Sequence, residues 1–166
     1  MIPFFVADRP MSLRLLKGLP LERYPEAKVG IMAHANTSAN FQEALRKYPC
    51  DNLEFCDAVG GPCQFQKDRS SCPARKRILE QTVKMCDSGI FTREGATLSY
   101  QQLFEAYKQM GVEYGIMIDV FRDAQATIES AKEALEIYKD FQDDFHLVGV
   151  AHGETLDEYL TCYREL

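Results

Sequence analysis

Six short apolar runs limit what this chain can fold into. They are IPFFVA (2–7), KVGIMA (28–33), NLEFC (52–56), VKMC (83–86), YGIMI (114–118) and FHLVGVA (145–151). They are short and mostly apolar on both faces, as parallel strands covered by helices must be. Helical patterns lie between them. Phe41, Ala44, Leu45 and Tyr48 recur at i, i+3, i+4 and i+7, with Asn40 and Glu43 placed as a cap and its N3 partner. Ser99 with Gln102 and Thr155 with Glu158 spell capping boxes, each ahead of an apolar stripe: Leu103, Ala106, Tyr107 and Met110 in one, Leu156, Tyr159, Leu160 and Tyr163 in the other. Ile128, Ala131, Leu135 and Tyr138 form a further stripe, and Gly111 suits a C-cap. The first unit is the weakest, because MSLRLLKGL (11–19) is short.

Strand and helix in alternation predict an α/β fold with a parallel sheet. The pattern is that of a (β/α) TIM-barrel-like sheet with about six βα units, carried by a single domain over residues 1–166. A complete (β/α)8 barrel takes about 250 residues. The sheet is therefore expected to be incomplete, as part of a longer chain or completed by a partner. Residues 57–72 carry no periodicity, and a loop of that length is usually a lid or a binding loop.

Each apolar run stops at a polar residue: Asp8, His34, Asp57, Asp87, Asp119 and His152. Parallel α/β folds bind ligands at the C-terminal ends of their strands. The bland account of these residues is that they form turns or cap helices. Asp87, Asp119 and His152 fit it least, being flanked by apolar or small residues, whereas His34 stands evenly between a cap and a site.

Composition narrows the class. A hydrophobic content of 46% supports a real core, and 27% charged residues do not describe a disordered chain. The net charge of −6 argues against a broadly basic nucleic-acid surface and leaves room for a local one. KDRSSCPARKRILEQTVK (67–84) concentrates Lys67, Arg69, Arg75, Lys76, Arg77 and Lys84. A solvated helix face is the plain reading; phosphate contact by Arg75, Lys76 and Arg77 is the alternative. No run approaches the ~20 apolar residues of a membrane span, and the first residues lack a basic leader, so a cytoplasmic protein without a membrane partner is expected. Cys50, Cys56, Cys63 and Cys72 form C-x5-C-x6-C-x8-C, without the CxxC knuckle of common zinc sites. Ordinary thiols are the expectation for them, and a metal or cluster site is the alternative.

One ordered trio of segments carries a family resemblance: DSGIF from Asp87, GIMIDVF from Gly115, and LVGVAHGE from Leu147, with helices between. It resembles the tRNA-guanine transglycosylase superfamily, including relatives that act on DNA, over about Met85–Leu166. Residues 1–84 match only as barrel strands. The resemblance implies a base-exchange glycosyltransferase that replaces guanine in DNA or tRNA by a free 7-deazaguanine of the preQ type. It implies that Asp87 handles protons at the base, beside Ser88 and Gly89. Phe91 would stack on the base, Asp119 would read the guanine edge, and His152 with Gly153 would contact its carbonyl side. Such an enzyme is expected to assemble as a homo- or hetero-oligomer and to need no cofactor in this part of the chain.

The chain departs from the family pattern at Ile90, where the family has a second glycine, at Val120 in place of glutamate, and at His152 in place of glutamine. The family's nucleophilic aspartate and its cysteine-rich zinc site align beyond residue 166. Two other classes fit the same strand ends. Asp8, His34, Asp57, Asp119 and His152 suit a metal-dependent hydrolase, although no HxH or HExxH motif is present. A non-catalytic subunit that holds nucleic acid or a partner fits the lack of an evident nucleophile.

Overall fold

The computed structural model describes residues 1–50, 56, 60–89 and 98–166. Its elements alternate as expected: β1 (Phe4–Val6), α1 (Pro10–Lys17), β2 (Val29–His34), α2 (Ala39–Lys47), α3 (Pro73–Glu80), β3 (Thr82–Asp87), α4 (Tyr100–Met110), β4 (Tyr114–Ile116), α5 (Ala124–Tyr138), β5 (His146–Val148) and α6 (Leu156–Glu165). The five strands form one open sheet in the order β1-β2-β3-β4-β5. The ladders β1–β2, β3–β4 and β4–β5 are parallel.

The mixed α/β class and parallel sheet agree with the sequence. A closed barrel is not what these strands form, and five strands rather than six are present among the described residues. Residues 52–55 of the expected third strand lie outside those residues. Cys56 makes only an isolated antiparallel bridge with Gly61. β2 and β3 neighbour each other directly, through Val29 N–H to the Gln81 carbonyl and Ala35 N–H to the Asp87 carbonyl, both at 2.9 Å.

The chain divides into two compact units. The first comprises Met1–Met32 and Thr37–Lys84. Its core includes Leu13, Leu16, Ile31, Phe41 and Leu45. Ser38, not Asn40, caps α2, accepting from the Phe41 N–H at 3.3 Å. Glu43 is drawn instead to Arg46 and Lys47, at 2.7 and 2.8 Å, and these cations hold its carboxyl down at about 2. Buried Gln81 directs its amide at the carbonyls of Leu21, Tyr24 and Ala27, anchoring the turn between α1 and β2. Lys84 is buried in β3 and donates to the Leu45 carbonyl at 3.4 Å, so it is no part of a solvated basic face.

The second unit comprises Ala33–Asn36 and Met85–Leu166. Helix α4 begins in the expected Ser99–Gln102 capping box and ends at Gly111 in the left-handed conformation, φ 63°. Of its expected stripe, Leu103, Tyr107 and Met110 are at 0% exposure and Ala106 is half-buried, while Phe104 beside them is also at 0%. Phe104 is the hub of an aromatic cluster, with Tyr100, Phe145 and Phe141 at centroid distances of 5.3, 5.4 and 5.6 Å. Edge and tilted contacts of this kind add about 0.5–1.5 kcal/mol each beyond area burial. Helix α6 begins in the expected Thr155–Glu158 box. Its apolar stripe, unlike that of α4, faces solvent: Leu156, Tyr159 and Tyr163 are exposed.

Two strand glycines test how tightly each unit is packed. A Cβ on Gly115 would meet the Tyr107 ring at 2.3 Å and the Phe145 ring at 3.1 Å. Tyr107 is fully buried and its hydroxyl is tied to the Ile116 carbonyl at 2.6 Å, so it has nowhere to go. A Cβ on Gly30 would meet Phe4 at 2.2 Å, but Phe4 is 37% exposed and can swing out. Gly115→Ala should therefore lower stability by about 1–3 kcal/mol. Gly30→Ala should cost clearly less, with urea denaturation midpoints deciding between them.

Candidate functional site

The second unit brings four of the polar strand ends together in sequence along the sheet: His34 ends β2, Asp87 ends β3, and Asp119 and His152 follow β4 and β5. The strongest contact among them joins Asp119 to His152, with Nε2 2.5 Å from Oδ2. The Asp119 carboxylate is buried, its side chain at 6% exposure against 17% for the imidazole. Buried carboxylates persist only when paired or hydrogen-bonded. Nε2 as the donor satisfies this one. The imidazole also meets the edge of Phe121, centroids 5.8 Å apart.

Hydroxyl groups hold Asp119 where it is. Strand β4 ends at Ile116, yet Met117 and Asp119 beyond it are buried. Tyr100 then takes over from the missing neighbour, accepting the Ile118 N–H at 3.1 Å and lying 3.1 Å from the Ile118 carbonyl. Ser130 donates to the same carbonyl at 2.6 Å and contacts the Tyr100 hydroxyl at 2.6 Å. Burial raises the Tyr100 phenol, keeping it protonated. Past Asp119, Thr127 accepts the Val120 N–H at 3.0 Å and donates to the Asp123 carbonyl at 2.7 Å. Arg122 sits in the left-handed region, φ 63°, before Asp123 caps α5 through the Ala126 N–H. A non-glycine residue there is strained, and such strain gathers at functional sites.

Asp87 makes a local turn. Its Oδ1 accepts the Gly89 N–H at 2.7 Å, and Gly89 takes φ 83°, which an L side chain resists. A Cβ on Gly89 would also stand 3.0 Å from the Asn36 amide. Ser88, between them, is 2% exposed, and its hydroxyl has no hydrogen-bond partner among the described residues. His34 Nδ1 is a second buried polar atom without one. Such atoms are rare in a folded interior.

Other expected site residues fare differently. Gly153 is required by packing: a Cβ would stand 2.4 Å from the Tyr159 backbone nitrogen, so α6 itself forbids a side chain there. Asp8 is exposed, 3.8 Å from the equally exposed Arg9, and belongs to the first unit. Phe91 and Asp57 lie outside the described residues. On α3, Arg75 is half-buried while Lys76 and Arg77 are exposed. Among the described residues, no group of three or more His, Cys, Asp or Glu side chains has a metal-holding geometry. No described helix is long and apolar enough to cross a membrane.

Sequence reasoning passed over Phe121, which is 58% exposed beside His152 with the Arg122 guanidinium 5.1 Å over its ring. Its position in GIMIDVF, two residues past the acid, was the available signal. It also passed over Tyr100, Thr127 and Ser130, whose hydroxyls fix the acid in place. Thr127→Val keeps the shape and removes the acceptor of the Val120 N–H. It should cost about 1–3 kcal/mol of stability. It should also shift the His152 ring resonances in an NMR spectrum, and unshifted resonances would show that Asp119 is held without Thr127.

Comparisons of the chain with family models, with curated proteins and with solved structures found no match.

Proposed function

We propose that the second unit is the base-handling part of a glycosyltransferase that exchanges guanine for a 7-deazaguanine in DNA or tRNA. The observation that carries the reading is the buried Asp119–His152 pair at 2.5 Å. These are two of the positions at which the resemblance implies base contacts, and they meet at the ends of neighbouring strands.

The pairing refines the roles. With Oδ2 occupied by His152, the Asp119 carboxylate still has lone pairs for guanine's adjacent N1–H and 2-amino donors. In the tautomer that donates from Nε2 to Asp119 and carries no proton on Nδ1, His152 presents an acceptor there and does not donate to the base carbonyl as a glutamine amide would. That contact falls to a backbone N–H, and Gly153 is the candidate. Phe91 retains the stacking role that the resemblance implies, with exposed Phe121 a second aromatic beside the pair.

Exchange requires that guanine leave C1′ with the N9 electron pair and gain a proton, and that the incoming base lose its N9 proton before taking guanine's place. Asp87 is proposed to give and then recover that proton. Its turn serves this role, because the bond to Gly89 fixes the carboxyl direction while a carboxyl group keeps a second oxygen. Ser88 adds an inward hydroxyl that a polar ligand would satisfy.

Two substitutions test the reading in the assembled enzyme. Asp87→Asn preserves the turn, since an amide oxygen also accepts the Gly89 N–H, but cannot shuttle a proton. It should reduce exchange of labelled guanine by about 10²–10⁴-fold with the fold intact. Exchange at the parental rate would remove Asp87 from the chemistry. Asp119→Asn puts a donor where guanine presents donors. Calorimetry should record a loss of at least about 2 kcal/mol in guanine affinity, and unchanged affinity would remove Asp119 from base reading.

A further inference from the structure

Neither plain account of His34 holds. It is not the cap of α2, because Ser38 is. It is not a satisfied core histidine, because its buried Nδ1 has no hydrogen-bond partner among the described residues. Base exchange as proposed above gives it no role.

Strand register places His34 beside Asp87. In a parallel ladder, an N–H bonds the carbonyl of the residue just before the one it stands opposite. In this sheet His146 N–H reaches the Glu113 carbonyl, and His146 stands opposite Tyr114. Ala35 N–H reaches the Asp87 carbonyl at 2.9 Å, so Ala35 stands opposite Ser88 and His34 opposite Asp87. Asn36 then falls opposite Gly89, and a Cβ on Gly89 would stand 3.0 Å from the Asn36 amide, as that register requires. Side chains along a strand alternate between the two faces. Ala33, Ala35, Cys86 and Ser88 take the buried face. His34 and Asp87 share the other, and both are half-buried. Neighbouring strands run about 4.8 Å apart, so an imidazole and a carboxyl on one face of them are within bonding reach.

The same kind of pair is closed further along the sheet, where Asp119 and His152 bond at 2.5 Å across β4 and β5. Across β2 and β3 it is open. Asp87 places Oδ1 on the Gly89 N–H at 2.7 Å, and His34 Nδ1 is unpaired among the described residues. Side-chain rotation is enough to close it. Hydrogen bonds between catalytic groups commonly tighten only once substrate is bound.

We propose that His34 is a positioning residue for Asp87: with the base bound, His34 Nδ1–H donates to Asp87 Oδ2 and holds the carboxylate that proton delivery leaves behind. This role rests on the proton handling by Asp87 proposed above. In that step the Asp87 O–H bond breaks, the proton goes to the leaving guanine, and the electron pair stays on Oδ2. The N9 proton of the incoming base then restores the O–H bond. His34 keeps its own proton throughout. It satisfies Oδ2 while that oxygen carries charge, as the Gly89 N–H satisfies Oδ1.

The test uses the assembled enzyme. His34→Phe keeps a planar ring and removes the donor. It should lower kcat for exchange of labelled guanine by about 10–100-fold, the rate equivalent of one hydrogen bond to a charged group, with KM for the nucleic acid within about twofold. The circular dichroism spectrum should not change. His34→Asn puts an amide N–H near the place of Nδ1 and should recover at least about tenfold of the loss. His34→Gln, whose amide reaches the place of Nε2, should not. In an Asp87→Asn background His34→Phe should cost nothing further, because the partner is already gone. One readout is independent of activity. Guanine added to the parental protein should bring up a His34 Hδ1 resonance protected from solvent exchange, and guanine added to Asp87→Asn should not. Exchange indifferent to His34→Phe, equal rescue by Gln, an additive loss in the Asp87→Asn background, or no protected Hδ1 with guanine bound would each overturn the role of His34 and leave base exchange standing. A parental enzyme that neither binds nor exchanges guanine would overturn base exchange itself, and this role with it.

Discussion

A carboxylate that is 4% exposed cannot exist without a partner, and Asp119 is such a carboxylate. The geometry of the second unit follows from meeting that demand. His152 must stand at the end of β5 with Nε2 aimed back at β4. Its own backbone N–H rests on the Cys162 sulfur of α6 at 3.5 Å, and Gly153 must lack a side chain for α6 to lie so close. On the other side, the chain from Ile118 to Asp123 is fixed by Tyr100, Thr127 and Ser130. Helices α4 and α5 are thereby committed to the same carboxylate through their hydroxyls, and α6 through its backbone. Removing His152 alone would leave a buried carboxylate with nothing opposite it, which is worse than never having placed the pair there.

The alternation of strand and helix was legible because parallel strands need both faces covered, and this leaves an unbroken apolar run in sequence. The Ser99 and Thr155 boxes were legible because a helix start has a local code. At α2 the same code misled: Asn40 and Glu43 fit the spacing, but Ser38 lies where the chain turns from extended to helical, and Glu43 found two cations on its own face. The α6 stripe misled too, because periodicity reports which side chains share a face and not whether anything covers it. The acids and histidine of the site were visible as polar endings of apolar runs. Their supporting hydroxyls were not, since Tyr100, Thr127 and Ser130 sit within or beside helical stripes and look like packing residues until the strand end beside them is known.

The order of the strands explains why the site residues arrive in chain order. Doubly wound sheets reverse direction at a switch point and open a crevice there. The order β1-β2-β3-β4-β5 has no such reversal among the described strands. What such a sheet offers a ligand is its row of C-terminal strand ends, one per crossover, spaced by roughly 4.8 Å. In the second unit those ends carry His34, Asp87, Asp119 and His152 in turn. Neighbours one strand apart are near enough to bond directly, as Asp119 and His152 do. Residues two or three strands apart leave a gap of about 10–15 Å, which a bicyclic base and its attached sugar are large enough to span. The proposed division of labour, a pair reading one edge of such a ligand from β4 and β5 and an acid acting on another part of it from β3, is one that this strand order makes available and a reversing order would scatter.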